Sequence, residues 1–185
     1  MATPTLETAR LVLRPLALAD APAVQRHFAH WAVIRRLGMT VPWPYPPDGA
    51  EEFIRTVALP KMASGEGLFW GIVPKAGPDE VVGAIDFRFQ PGPAGNRGFW
   101  LGEEFQGRGY MTEAVSAVQD YLFFDLRLER ILVANAKGNR ASRRVKEKTG
   151  ARLVKTIDLE HHDGTHEAEL WEVTRETWAA LRADP

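Results

Sequence analysis

Residues 98–114 read Gly98-Phe-Trp-Leu-Gly-Glu-Glu-Phe-Gln-Gly-Arg-Gly-Tyr-Met-Thr-Glu-Ala114, a spacing suited to capturing an anion. A β-rich run ends, glycines stand at 107 and 109, and apolar or aromatic residues at 111, 114, 115, 118, 121 and 122 mark one buried face of the firmest helix in the chain. The first turn of such a helix carries N–H groups that have no intrahelical partner. Gly107 and Gly109 let the backbone curl so that several of those donors converge on a phosphate, and Arg108 adds a mobile positive charge. No Gly-Lys-Ser/Thr follows, so the pattern is not a Walker loop. Met111 and Thr112 stand where a dinucleotide fingerprint would complete its glycines, so nicotinamide chemistry loses weight with nucleotide hydrolysis. Two glycines between strand and helix also read as a plain tight turn, and these residues alone leave both readings open.

The elements that position this stretch follow from pattern and punctuation. Arg10 to Leu16 alternates apolar and basic residues as a strand would, and Asp20 is expected to cap a helix from about Pro22. The prolines of Val41-Pro-Trp-Pro-Tyr-Pro-Pro47 forbid helix or central strand, so this aromatic segment is expected to be an ordered loop packed over a neighbour. Asp48 with Glu51 predicts a capping box for a second helix, ending at Pro60 or near Gly65 and Gly67. Leu68 to Val73 and Val81 to Phe89 predict an antiparallel hairpin, and Gly98 to Leu101 a short strand. After the helix at Met111 to Leu126 come a strand at Ile131 to Ala134, a helix from Asn139 to Thr149 closed by Gly150, and a strand from Arg152 to Leu159. The centre therefore reads β–α–β–α–β. A hairpin turning at Asp163-Gly164 and a helix from near Thr174 complete the chain.

Four separated segments resemble the GNAT superfamily of N-acetyltransferases, in the variant of the ribosomal-protein alanine N-acetyltransferases. Gln106-Gly-Arg-Gly-Tyr-Met-Thr-Glu-Ala114 resembles its acetyl-CoA motif, and Thr8-Ala-Arg-Leu-Val-Leu-Arg-Pro-Leu16 resembles its first strand. Asn135 to Gly150 is similar to its second CoA motif, and Asp163 to Leu170 with Thr174 to Trp178 fits its terminal hairpin and helix. The resemblance implies a single domain over 1–185 of the α/β (α+β) class. Its mixed, mostly antiparallel sheet would have roughly six to seven strands, splayed at the cofactor site and flanked by about four helices. It implies acetyl-CoA as cosubstrate, held by backbone amides from Gly107 through Arg108, Gly109, Tyr110 and Met111 to Thr112, with Gln106 shaping the loop. Met111 stands where the family has Gly or Ala. Trp100 and Leu101 would lie on the splayed strand, an amide near Leu101 serving as oxyanion donor, while the side chains of Phe99, Trp100 and Leu101 read rather as core.

Carried over in the same way, Asn135, Asn139 and Ser142 would face the cofactor, and Ser142 becomes the candidate proton donor to the departing thiolate. The local alternative is that Asn139 caps its helix with Ser142 one turn inside. Arg140, Arg143, Arg144, Lys146 and Lys148 give that helix a basic surface for a CoA phosphate, with Arg143 or Arg144 preferred. Asn96 occupies the place of the glutamate that often serves the family as base. Asp86 is the candidate substitute, acting through water, with an exposed strand carboxylate as the alternative; Glu103 is another possibility, and Glu113 reads as structural. Trp43 and Tyr45 are candidates for the acceptor pocket, because aromatic walls hold amines by cation–π attraction, and Trp70 reads as core.

The bulk numbers narrow the chemistry further. Lys and Arg total 23 against 24 Asp and Glu, so no global field draws nucleic acid or an anionic membrane, and neither is expected as a partner. With 0 cysteines there are no disulfides, no zinc–thiolate sites and no acyl group parked on a protein thiol. Direct transfer in a ternary complex is the expected route. His161, His162 and His166 match no common ligand spacing and read as a polar hairpin, so no metal is expected. An α-amine with pKa of about 8 is roughly a tenth neutral at pH 7, whereas a lysine near 10.4 is neutral in under about one molecule per thousand. An α-amine thus hardly needs a strong base, and the resemblance implies a protein N-terminal amine as acceptor, with a small-molecule amine or a non-catalytic acetyl-CoA sensor as alternatives. A cytoplasmic location is expected, since no apolar run reaches the roughly 20 residues of a membrane span, and the resemblance implies a monomer or homodimer.

Overall fold

The computed structural model describes residues 2–183, so Met1, Asp184 and Pro185, and with them the expected outer bounds of the domain, lie outside the described residues. The strands are β1 (Leu6–Glu7), β2 (Leu11–Pro15), β3 (Gly67–Pro74), β4 (Gly83–Gly92), β5 (Gly95–Leu101), β6 (Arg130–Ala136), β7 (Arg152–Asp158) and β8 (Glu167–Thr174). They form one sheet in the order β1-β2-β3-β4-β5-β6-β8-β7. Every neighbouring pair is antiparallel except β5 and β6, which run parallel. The helices are α1 (Ala21–Phe28), α2 (Trp31–Ile34), α3 (Gly49–Phe53), α4 (Leu59–Ser64), α5 (Tyr110–Asp120), α6 (Arg140–Lys148) and α7 (Arg175–Ala183). No helix among the described residues is long and apolar enough to cross a membrane.

The sheet separates two apolar layers. On one side Met111, Ala114, Val115 and Val118 of α5 pack with Leu11, Trp70, Ile85, Phe87 and Trp178. On the other, Val24 and Phe28 of α1, Ile34 of α2 and Ala50 of α3 pack with Phe69 and Val73. The spacing of the α5 stripe thus reports burial faithfully. β3 is buried along its whole length, as its central place between β2 and β4 requires.

Several expectations need correction. Among the described residues eight strands replace six or seven, because β1 has only two residues, too few for any alternation to show. Seven α-helical segments among the described residues replace about four. The expected single helix after Asp48 is split by a wide π turn at Ile54–Ala58, because Pro60 has no N–H to return to the Thr56 carbonyl. Neither predicted aspartate cap forms: Asp20 accepts from Ala17 N and from both Arg14 terminal nitrogens, and Gln25 Oε1 takes the Ala50 N–H beside Asp48. A charged guanidinium is the stronger partner for the Asp20 carboxylate.

The parallel seam between β5 and β6 is short. Gly95 and Arg97 both register with Val133, and no partner follows. β5 stays on β4 to Leu101 and β6 stays on β8 to Ala136, so beyond Arg97 the sheet opens into a V. The seam is pinned by Asn96, whose Nδ2 donates to Arg88 O at 3.0 Å and whose Oδ1 accepts from Leu132 N at 2.9 Å. The residue in the place of the family base is therefore a buried strap across three strands. Gly95 makes the close approach possible: its φ is 86°, and a Cβ there would overlap the Leu132 carbonyl. Gly95→Ala is expected to cost roughly 3–5 kcal/mol, combining left-handed strain with overpacking against backbone, and to lower Tm accordingly in thermal unfolding.

Candidate active site

The open V exposes main-chain groups that a closed sheet would pair. Gly102 N donates to Val82 O at 2.9 Å, so by strand alternation the amides of Phe99 and Leu101 point off the opposite edge, into the gap. On the facing strand Leu132 N turns toward β5, which places the main chain of Ala134 on the same opening. These are two parallel edges with room for an extended, amide-bearing arm between them. The expected oxyanion donor near Leu101 thus points into the gap, whereas the Leu101 side chain is core. Trp100 is half-buried and meets Phe28 at 5.0 Å on the opposite face of β5.

At the mouth of the V lies the glycine loop. Gly107 and Gly109 take φ of 76° and 80°, and both are exposed. Gly109 is the N-cap of α5 without a side-chain cap, and the first main-chain bond of the helix is Glu113 N to Gly109 O. The amides of Tyr110, Met111 and Thr112 thus head the helix uncapped by any side chain. The Met111 side chain is buried in the core beside α5, so its bulk lies away from those amides. Gln106 Nε2 donates to Leu101 O at 2.9 Å and folds the loop back on the strand end. Arg108 is exposed, its guanidinium 5.7 Å from the Phe105 ring centroid.

The opening strand's motif braces this loop, a role sequence reasoning did not assign to Arg10. Arg10 donates through Nη1 to Arg108 O at 2.9 Å and through Nε to Glu113 Oε2 at 2.7 Å, while its guanidinium covers Tyr110. Thr8 Oγ1 and Arg10 N both donate to Glu113 Oε1. Burial opposes ionisation of Glu113, but the Thr8 and Arg10 bonds prevail and hold its carboxyl below the ordinary range. Its expected structural role is what the geometry gives.

Helix α6 packs beside the opening, with Lys146 5.3 Å from the Phe99 ring of β5 and Arg143 5.5 Å from the Trp171 ring of β8. Asn139 is its N-cap, with Oδ1 accepting from Ser142 N at 3.2 Å, so the local capping role is present. The Ser142 hydroxyl remains available and accepts from Lys146 Nζ at 2.8 Å. The basic run divides sharply. Arg143 is engaged by Glu147 and Glu169, Lys146 is buried at 1% exposure, and Arg144 is exposed with no ion pair among the described residues. Lys146 is thereby removed from the expected basic surface, because an α6 position one turn after Ser142 faces the sheet. Asn135 Nδ2 donates to Glu169 Oε2 and Ala136 O, and its buried Oδ1 has no partner among the described residues. An orphaned acceptor beside the opening fits an N–H-bearing ligand arm.

Asp86 sits across β5, where Gly98 N donates to it and Arg88 Nε stands 3.3 Å from Oδ2. Burial pushes its carboxyl above the ordinary range against the pull of Arg88, Gly98 and Arg97. A Cβ on Gly98 would lie 2.6 Å from Asp86 Oδ1, so the glycine makes room for the carboxylate. It is partly buried, and the reading as a freely solvated strand carboxylate is replaced. Glu103 is exposed and lines a surface cleft with His27, His30 and Glu104.

The proline-rich segment is ordered against α1 and α3. Tyr45 packs on Phe28 at 5.0 Å and against Gly49, and burial raises its phenol to about 12. Trp43 is 40% exposed and meets Trp31, itself 41% exposed, at 5.1 Å. His162 joins this pair, its ring 6.5 Å from Trp31 and its Nε2 within 2.6 Å of Val41 O. Trp31 was not singled out by sequence, where a lone tryptophan carries no spacing signal. His161 Nδ1 lies 3.1 Å from Thr165 O within the terminal hairpin. Trp70 is core, its indole donating to Pro4 O.

Comparison with known proteins agrees with this architecture. A family model described as the acetyltransferase (GNAT) domain matches residues 10–152. YoaA of Bacillus subtilis, named as an uncharacterized N-acetyltransferase, is 31% identical over 154 residues, 80% of this chain and 82% of that protein. YdaF of the same organism, which carries a ribosomal N-acetyltransferase name, is 36% identical over 72 residues; the match spans 36% of this chain and 39% of that protein. A solved structure of RimL, a ribosomal L7/L12 alpha-N-protein acetyltransferase in complex with coenzyme A, shares the fold. Its TM-score is 0.78 at 18% identity, covering 92% of this chain and 98% of that one. Family model, relatives and splayed sheet agree: the chain belongs to the acetyltransferase (GNAT) domain family.

Proposed function

We propose that this protein transfers the acetyl group of acetyl-CoA directly to an amine, and that the acceptor is a protein N-terminal α-amine. The observation that carries the reading is the V between β5 and β6 with the bare amides of α5 at its mouth. Acetyl-CoA supplies an activated thioester. Its diphosphate would meet the amides from Gly107 to Thr112, with Arg108 beside them and Arg144 free for a further phosphate. Its amide-bearing arm would run between Phe99 and Leu101 on one side and Ala134 and Asn135 on the other, where Asn135 Oδ1 has no donor among the described residues. The Leu101 amide would meet the charge that develops on the acetyl oxygen, and Ser142 Oγ would protonate the sulfur.

The acceptor would arrive past Trp31 and Trp43, whose exposed faces attract an ammonium group. An α-amine needs little help to lose its proton. Asp86, held above its ordinary range, would take that proton through water. The test is thiol release from acetyl-CoA with three acceptor sets: peptides with free α-amines, the same peptides N-terminally blocked but carrying lysine, and small polyamines or aminoglycosides. Turnover confined to the first set is expected; turnover confined to the third replaces the acceptor, and its absence with all three, despite cofactor binding, favours a sensor.

Because Arg10 ties the loop to β2, Arg10→Ala is expected to weaken CoA binding severalfold by calorimetry while costing about 1 kcal/mol of stability in thermal unfolding.

A further inference from the structure

One buried group has no part in the chemistry above. Lys146 is 1% exposed and folds back along α6 so that Nζ reaches Ser142 Oγ at 2.8 Å. Its ammonium lies 5.3 Å from the centroid of Phe99, a residue of the opened stretch of β5. A second buried cation, Arg97, stands nearby; its Nη1 donates to Gln119 Oε1 at 2.7 Å, while Nε and Nη2 have no partner among the described residues. The charged groups facing Lys146 are Arg97 from β5 and Glu169 from β8, and Glu169 is already shared by Arg143 and Asn135. The other carboxylate acting on Arg97 is Asp86, which is itself paired with Arg88, so neither buried cation has a carboxylate to itself, a costly core. A methionine at 146 would fill the same volume without that cost.

We propose that Lys146 is a positioning residue that supplies Ser142 with the proton needed by the departing CoA thiolate, the two forming a relay one helical turn long. The inference rests on the acetyl-transfer reading above. Ser142 passes its hydroxyl proton to the sulfur as the carbon–sulfur bond gives way to the new carbon–nitrogen bond. Lys146 Nζ refills Ser142 Oγ in the same motion, so no alkoxide is left behind. Lys146 is then reprotonated from solvent, which also receives the proton shed by the acylated nitrogen, and the sum is amine plus thioester to amide plus thiol. Burial, reinforced by Arg97 and opposed by Glu169, holds the Lys146 ammonium well below its usual range. Its proton is correspondingly easier to give to a thiolate, whose conjugate acid has a pKa near 8.5.

The test is Lys146→Met, read in two opposite directions. Tm is expected to rise by about 2–5 °C, because a buried cation is replaced by an apolar chain of similar length. The sign with pH is fixed: a lysine depressed in the native state binds more protons unfolded, so wild-type stability rises with pH from its native pKa toward 10.5. The advantage of Lys146→Met is therefore greatest at low pH and vanishes above 10.5. Meanwhile kcat should fall about 10- to 100-fold with KM for acetyl-CoA within about threefold. The alkaline limb of the wild-type kcat profile, where Lys146 loses its proton, should disappear. In a Ser142→Ala background the same change should slow turnover by less than about twofold, since its route runs through Ser142.

Unchanged kcat in a variant that still binds acetyl-CoA overturns the relay alone, as does an equal loss with and without Ser142. A wild-type protein that binds no acetyl-CoA by calorimetry overturns the underlying function with it. Should Lys146→Met not fold, Lys146 is a structural tie and the relay is overturned; Lys146→Gln, which keeps a donor to Ser142 but no transferable charge, separates hydrogen bonding from proton supply and should show the same lost limb.

Discussion

Gly109→Glu is expected to weaken acetyl-CoA binding by at least about 100-fold while leaving the protein folded. Gly109 is the N-cap of α5 with φ of 80°, so any side chain there pays left-handed strain of roughly 1–2 kcal/mol. The space itself is tolerant: the nearest atom to an added Cβ is the end of the Arg10 guanidinium, at 3.3 Å. What glutamate adds beyond strain is a negative charge where the helix would receive a diphosphate. Two unit charges about 4 Å apart at an effective dielectric of 20 repel by about 4 kcal/mol, and each 1.4 kcal/mol is tenfold in affinity. Gly109→Ala is the control, because it carries the strain without the charge. The two variants should share a similar Tm in thermal unfolding, and only the glutamate variant should lose heat of binding in calorimetry. Equal affinities would show that the loop does not meet the phosphates.

Most of the frame around that loop was legible in the sequence, for reasons that are local. The α5 stripe, the hairpin of β3 and β4, and the β–α–β–α–β centre follow from periodicities of 3.6 and 2, which need no knowledge of the remainder of the chain. The core place of Trp70 and the Asn139 cap, the latter only as the alternative to a role at the cofactor, were also legible. What escaped was set by partners distant in sequence. Arg10 and Glu113 meet across 103 positions, Asn96 straps Leu132 across 36, and Gln25 takes the amide on which the Asp48 cap would have competed. Lys146 was misread for a related reason: a lysine in a run of basic residues reads as solvated surface, and only the docking of α6 beside the opening turns it inward. Two buried cations where the pattern calls for apolar residues are a local rule broken, and such breaches mark functional sites more often than errors of folding.

Ser142→Ala completes the argument, because the structure separates the two roles that its sequence position left entangled. The cap of α6 runs from Ser142 N to Asn139 Oδ1, and alanine keeps that N–H. The hydroxyl makes one side-chain bond, to Lys146 Nζ. Removing it therefore leaves the helix start intact while depriving a buried amine of its partner, at a cost of about 1–3 kcal/mol. If Ser142 only supports the fold, that loss is the whole effect, and turnover per folded molecule stays near wild type. If it protonates the leaving sulfur, kcat should fall about 100- to 1000-fold, the usual weight of a general acid, while the dissociation constant for acetyl-CoA moves by less than about threefold. Stopped-assay thiol release at saturating acetyl-CoA, set beside calorimetry on the same preparation, distinguishes the outcomes. A large fall in kcat with near-constant affinity assigns the hydroxyl to the transition state, since an interaction lost equally from ground and transition states would have surfaced as weaker binding.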